Sequence, residues 1–159
     1  AFSWVEPTAW CLLGIKASRA VSDARRQAAR IATGEALLLD RACTGGGWNY
    51  GNSNLFGQDL RPFVPTTAVA LLALQDRSQD ARVQAGLDYL TRAWPAEPSG
   101  VSLALTLLAL GVHHRPCAEA SAALVAAFER TSYLGNTAVM AMAACALNAG
   151  KDGGLALTT

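Results

Sequence analysis

Four stretches of the chain are almost uniformly apolar and rich in alanine and leucine. They align without gaps, so that Thr8, Thr67, Leu103 and Thr137 share one position and Ala9, Ala68, Ala104 and Ala138 the next. Alanine and leucine are strong helix formers, and a helix with few polar residues has to be covered on both faces. We therefore predict four buried inner helices, which occupy Glu6–Ile15, Val64–Leu74, Ser99–Leu110 and Gly135–Ala144.

Three amphipathic stretches lie between these segments. They run from Val21 to Ala42, from Gln79 to Trp94 and from Cys117 to Arg130, and each has one apolar stripe among polar residues. This pattern is typical of helices that shield a core on one side. In the first stretch we predict that the solvated side consists of Arg25, Arg26, Arg30 and Glu35. The sequence thus predicts an all-α domain of about seven alternating inner and outer helices.

A glycine-rich insertion from Cys43 to Pro65 separates the first two repeats. Loops of this length are usually functional, ordered by their own contacts, or disordered. Its three consecutive glycines permit left-handed or crowded backbone, and Trp48 directly follows them. We expect Trp48 to fold back onto the end of the preceding helix. Asn49 and Asn52 are expected to bond nearby backbone in turns.

Composition narrows the function classes. Apolar residues make up 52% of the chain and charged residues 16%, and the formal net charge is +1. This balance indicates neither a nucleic-acid partner nor an anionic membrane surface. No apolar run reaches the roughly 18 residues of a transmembrane helix. Cys11, Cys43, Cys117 and Cys145 have no metal-type spacing, so we predict buried free thiols in a reducing, cytoplasmic compartment.

The motif Gly34-x-x-Leu37-Leu38, continued by Gly46-x-Trp48, resembles the QW repeat of the prenyltransferase and squalene-cyclase (terpenoid-cyclase) superfamily. Ala42 stands where that repeat usually has glutamine, and Gly86-x-x-Tyr89-Leu90 is a weaker second copy. The segments from Ser3 to Trp10, Gly46 to Asn52 and Pro65 to Leu74 resemble a bacterial branch of the superfamily whose members are named mostly for their repeats. The resemblance covers nearly the whole chain and implies an α/α toroid, with inner helices around a central cavity.

The closed toroid of that superfamily has about six helix pairs, so residues 1–159 are expected to form a single repeat domain that is part of a longer chain. Repeat arrays need terminal caps with a polar outer face. Here the first and last recognisable helices are apolar inner ones. We therefore expect the piece to self-associate or to pack against the remainder of its parent chain.

The resemblance also supplies a catalytic motif to look for. Class II terpene cyclases of the superfamily protonate their substrate with a DxDD motif just before an inner helix. The matching frame before Thr67 runs from Phe63 to Thr66 and has no acid. Glu6 occupies the position of the proton-donating acid before Thr8, but the other acids of the motif are absent. A carboxylate at a helix N-terminus is also stabilised by the helix dipole, which requires no catalytic role. Glu6 is thus a weak catalytic candidate, and we name no other.

Metal binding has one local cluster to consider, because prenyltransferase β subunits hold zinc through Asp, Cys and His. His113, His114 and Cys117 lie near each other in sequence, with no fourth ligand in range. This spacing is atypical of zinc sites, and we interpret the pair as surface histidines at the C-terminus of a helix. We predict no metal and no cofactor.

Aromatic residues in the insertion either line a pocket for an apolar or cationic ligand or serve as packing. The candidate ligand-binding residues are Trp4, Trp48, Tyr50, Asn52, Phe56 and Asp59. The leading hypothesis is a terpenoid-cyclase or prenyltransferase-like repeat domain that binds an apolar or isoprenoid molecule, or a partner, without a complete catalytic motif. Two alternatives stay open: a fragment of an isoprenoid-processing enzyme whose catalytic residues lie elsewhere, and a purely structural module.

Overall fold

The computed structural model describes residues 4–18, 23–115 and 117–149, and within them the fold is all-α, as predicted. A short antiparallel hairpin is added in the insertion, with strands β1 (Asn54–Leu55) and β2 (Gln58–Asp59). Ser3 and the predicted helix start at Val21 lie outside the described residues. The seven α-helices are α1 (Val5–Ala17), α2 (Ala24–Asp40), α3 (Val64–Ala73), α4 (Ala81–Ala93), α5 (Gly100–Val112), α6 (Ala118–Thr131) and α7 (Thr137–Ala149).

The helices form two sets, as the alternating sequence pattern predicts. The inner helices α1, α3, α5 and α7 pack against one another in that order, while α2 packs on α1, α4 on α3 and α6 on α5. Neighbouring inner helices are parallel. Thr66 donates to Glu6 where α3 and α1 begin, and the Lys16 ammonium donates to the Ala73 carbonyl where both end.

Burial separates the central inner helices from the terminal ones. Every residue of α3 except Pro65 is buried, and so is most of α5. In α1 and α7, by contrast, Trp10, Cys11, Ala141 and Cys145 are exposed. The prediction that both faces of an inner helix are covered is therefore confirmed for α3 and α5 and wrong for α1 and α7. The same observation corrects the cysteine prediction, since only Cys43 of the four free thiols is buried.

One residue assigned to the solvated side of α2 lies in the interior. Glu35 is 2% exposed, and its carboxylate pairs with the Lys16 ammonium at 2.7 Å. The Arg77 guanidinium donates to the same carboxylate through Nε at 2.9 Å. The prediction was wrong because Glu35 has two cationic partners from other parts of the chain, which compensate the loss of hydration.

The outer helix α4 begins with a capping aspartate whose charge gives the fold a dependence on pH. The Asp80 carboxylate accepts from the backbone N–H of Arg82 and pairs with its guanidinium at 2.7 Å. Hydrogen bonding to the Arg82 side chain lowers the pKa of Asp80 to about 2. That pKa is below the value of about 3.9 in an unfolded chain, so the stabilisation is complete above about pH 4 and is lost as the pH falls toward 2.

We expect Asp80→Ala to lower the free energy of unfolding by about 1 kcal/mol at pH 6, the usual cost of losing an N-cap. The deficit should shrink between pH 4 and pH 2.5, because the wild-type carboxylate becomes protonated. Urea unfolding across this range is the measurement. Asp80→Asn is the matched control, because it keeps the cap and removes the charge. A deficit for Asp80→Ala that does not change with pH would contradict the assignment.

The connection between α6 and α7 is a left-handed turn. Ser132, Tyr133, Leu134 and Gly135 have φ values of 45°, 48°, 54° and 74°. Left-handed backbone costs a non-glycine residue roughly 1–2 kcal/mol. Tyr133 offsets part of this cost, because its ring is buried beside Phe128 and its hydroxyl donates to the Leu124 carbonyl at 2.7 Å.

Candidate functional site

The insertion between α2 and α3 is organised around Trp48, which is fully buried. Its indole N–H donates to the Leu38 carbonyl in α2 at 2.6 Å, so the side chain folds back onto the preceding helix as predicted. Its backbone N–H donates to the Thr67 hydroxyl at 2.9 Å. Trp48 therefore joins the insertion to both α2 and α3.

Glycine is required at two positions of this loop. Gly46 and Gly47 have φ values of 84° and 79°. A Cβ at Gly46 would lie 2.5 Å from the Ala85 carbonyl oxygen, and one at Gly47 would lie 2.7 Å from the Tyr89 ring. The predicted crowded, left-handed backbone is confirmed at these two glycines. As a result, the loop lies directly against α4.

A side-chain turn then directs the loop toward the start of α1. The Asn49 amide donates to the Asn52 carbonyl at 2.8 Å, and the Asn49 side-chain oxygen accepts from the Gly51 N–H at 2.9 Å. The expected turn therefore forms through the Asn49 side chain. The Val5 N–H donates to the Tyr50 carbonyl at 2.9 Å, which fixes Tyr50 beside the N-terminus of α1.

These contacts shape an open pocket at the N-terminal ends of α1 and α3, with a volume of about 500 Å³. The Tyr50 and Phe63 rings lie 5.0 Å apart, and the Arg61 guanidinium lies 5.3 Å from the Phe63 ring centre. The pocket is lined by Trp4, Asn49, Tyr50, Gly51, Asn52, Leu55, Leu60, Arg61 and Phe63.

The lining favours an apolar ligand. Three aromatic rings and two leucines provide most of the wall, while Arg61 is its one charged residue and the two asparagines its amides. None of these nine residues is an acid, a histidine, a cysteine or a serine. The pocket therefore has groups suited to burying an apolar body, and the Tyr50 phenol is the one side chain in its lining that could act as a general acid.

The structure brings together three of the six ligand-binding candidates named from the sequence. Trp4, Tyr50 and Asn52 line the pocket. Trp48 is in the core, Phe56 is 97% exposed at the hairpin turn, and Asp59 is exposed in β2. Hydrogen bonds from the Asn54 amide and the Thr44 hydroxyl lower the pKa of the Asp59 carboxyl.

Six lining residues were not among the sequence candidates, namely Asn49, Gly51, Leu55, Leu60, Arg61 and Phe63. One of them had a usable signal. The repeat alignment places Phe63 at the position of Trp4, and both residues are the N-caps of parallel inner helices. Leu55 and Leu60 are brought in by the hairpin, which the apolar pattern does not predict.

Glu6, the weak catalytic candidate, lies in the first turn of α1 and is partly buried. Its Oε1 accepts a hydrogen bond from the Thr66 hydroxyl at 3.0 Å. It is not part of the pocket wall. The contact links α1 to α3 and requires no chemistry from the carboxyl group.

The cluster considered for zinc is not assembled. His113 Nε2 bonds the Leu71 carbonyl at 2.9 Å, and burial lowers the pKa of His113. His114 is exposed, and Cys117 contacts Glu119. Across residues 4–18, 23–115 and 117–149, no group of three or more His, Cys, Asp or Glu side chains could hold a metal ion.

No family model, characterised protein or solved structure matches this chain. In the described part of the chain, each helix is too short or too polar to cross a bilayer. The pocket and the repeat pattern are therefore the features that bear on function.

Proposed function

We propose that this chain is a repeat domain of the terpenoid-cyclase and prenyltransferase type, with inner helices that curl as part of an α/α toroid. Parallel apolar helices in series, the first three of which each have an amphipathic helix packed against them, support this class. The QW-like motif supports it too, because Trp48 follows Gly46 and bonds the end of the helix that carries Gly34 and Leu38.

The function we propose is binding of an apolar molecule of the isoprenoid type in the pocket between Trp4, Tyr50 and Phe63. The observation that carries this proposal is the pocket itself. Its volume of about 500 Å³ falls within the usual range of ligand sites, roughly 300–1,000 Å³, and its wall is mainly aromatic and aliphatic. The frame in which the superfamily's cyclases carry acids is occupied by Phe63, Val64, Pro65 and Thr66, so binding without catalysis is the function we assign.

Binding of Nile red, a neutral apolar fluorophore, with farnesol as the competing isoprenoid alcohol, tests the proposal. We expect Leu60→Asn to weaken farnesol binding by about tenfold, because burying a leucine side chain contributes roughly 1.5–3 kcal/mol. Phe56→Asn is the matched control on the same hairpin, since Phe56 lies outside the pocket. It should leave the affinity unchanged.

Three results would refute this assignment. The wild-type chain could fail to bind farnesol. Leu60→Asn could bind as well as the wild type, which would place the ligand elsewhere, for example in one of the grooves beside α1 or α7. Finally, Phe56→Asn could lose affinity as strongly as Leu60→Asn, which would mean that the whole hairpin, rather than the pocket wall, is needed.

A further inference from the structure

The molecule builds one helix–helix interface three times, between α1 and α3, α3 and α5, and α5 and α7. In the first copy, Thr66 and Ala73 of α3 bond Glu6 and Lys16 of α1, and Ala9 and Leu12 of α1 are buried. The third copy uses the corresponding sides, since a Cβ at Gly100 of α5 would lie 3.0 Å from Val139 of α7. Each inner helix thus has two different interface sides.

At the start of the array, no described residue covers one of these sides. Thr66 and Ala73 of α3 bond α1, and Val69 and Ala70 lie on the same face by helical spacing; all four are buried. The repeat alignment gives their counterparts in α1, all of which are exposed, and Trp10 has 48% of its surface open. We name this set the α1 edge; it consists of Pro7, Trp10, Cys11 and Gly14.

At the end of the array, no described residue covers the opposite side. The positions of Ala9, Leu12 and Lys16 in α1 correspond in α7 to Ala138, Ala141 and Cys145, and these three are exposed. We name this set the α7 edge. The α1 edge and the α7 edge are therefore the two halves of the interface that the fold already forms three times.

The surroundings of the two edges differ in charge. The groove of about 380 Å³ between α1 and α2 is lined by Arg26 and Arg30. The groove of about 300 Å³ between α6 and α7 has no charged residue in its lining, which includes Val125 and Phe128. Two α1 edges in contact would bring the arginines of two copies together, whereas an α1 edge on an α7 edge would not, so contact between unlike ends is favoured.

We propose that a second copy of this chain docks by its α1 edge on the α7 edge of the first, so that its α1 continues the inner series after α7. Such an interface is heterologous, because it uses two different surfaces and each copy keeps one edge free. It goes beyond ligand binding, and it involves residues outside the pocket.

Sedimentation velocity of the full chain over a range of concentrations, with two edge variants, tests the proposal. Trp10→Glu places an acid in the α1 edge, and Ala141→Arg places a base in the α7 edge. Each variant alone should be monomeric, since every contact needs both edges. Because Trp10→Glu retains its α7 edge and Ala141→Arg its α1 edge, an equimolar mixture should form a one-to-one dimer and nothing larger.

Ala126→Glu, at an exposed position of α6, is the control and should associate as the wild type does. Circular dichroism of every variant establishes that the helices are retained. A wild-type chain that stays monomeric at all concentrations would overturn the proposal, as would a mixture that stays monomeric. Loss of association in Trp10→Glu but not in Ala141→Arg would also overturn it, because that pattern belongs to a symmetric contact between two α1 edges.

Discussion

Replacing Glu35 by glutamine is expected to lower the free energy of unfolding by about 3 kcal/mol. Removing one partner of a buried ion pair costs roughly 3–5 kcal/mol, because the other charge is left without compensation. Here the side chains of Lys16 and Glu35 are 5% and 3% exposed. We expect the lower end of that range, since Lys16 keeps the Ala73 carbonyl and the Asp76 carboxylate as partners.

Urea unfolding of Glu35→Gln, Lys16→Met and the double variant Lys16→Met/Glu35→Met measures this effect. The double variant should lose less free energy of unfolding than the two single variants lose together, because neither a lysine nor a glutamate charge is left buried without its partner. Glu119→Gln, at an exposed position of α6, is the control and should change stability by less than about 0.5 kcal/mol. A Glu35→Gln variant as stable as this control would contradict a buried network.

A second large effect on the free energy of unfolding is expected when Gly86 is replaced by alanine. The sign of this effect should depend on Trp48, which is far away in sequence. A Cβ at Gly86 would lie 2.5 Å from Cζ3 of Trp48. Gly86→Ala alone should therefore destabilise the fold by about 1–3 kcal/mol, the usual cost of overpacking a core. In a Trp48→Leu background the same change should instead stabilise by up to about 1 kcal/mol, because alanine favours a helix interior more than glycine does.

The measurement is a double-mutant cycle by urea unfolding at a protein concentration low enough to keep the chain monomeric. Gly111→Ala is a matched control, because a Cβ at Gly111 of α5 would meet nothing within 4 Å. It should stabilise or be neutral in both backgrounds. If Gly86→Ala were harmless with Trp48 present, Trp48 would not pack on α4 in the described way.

The number and type of helices could be predicted from the sequence because each has a strong periodic or continuous apolar signal. The alignment of the four inner segments also carried tertiary information, since Thr67 holds the loop through Trp48 and Trp4 and Phe63 meet at one pocket. These features depend on the repeat register, which is present in the amino-acid order itself.

What could not be predicted depends on partners distant in sequence. Because Glu35 is charged, the sequence predicts that it faces solvent. Its burial is explained only by its ion pairs with Lys16 and Arg77, which are distant in sequence. The hairpin at Asn54–Asp59 escaped prediction because its strands have two residues each and its turn is held locally by the Asn54 side chain, which accepts from the Gly57 N–H. The exposed edges of α1 and α7 depend on position in the array, and the apolar pattern is the same in all four inner helices.

The left-handed turn from Ser132 to Gly135 has a consequence for the order in which the structure opens. Backbone strain is concentrated there, and within the described residues α5 is the one inner helix that packs on α7. Such a segment can separate as a unit while α1 to α6 remain folded, which is the behaviour of a terminal repeat in a linear array. The amide hydrogens of α7 would then exchange with solvent through partial opening, and those of α3 only when the whole chain unfolds.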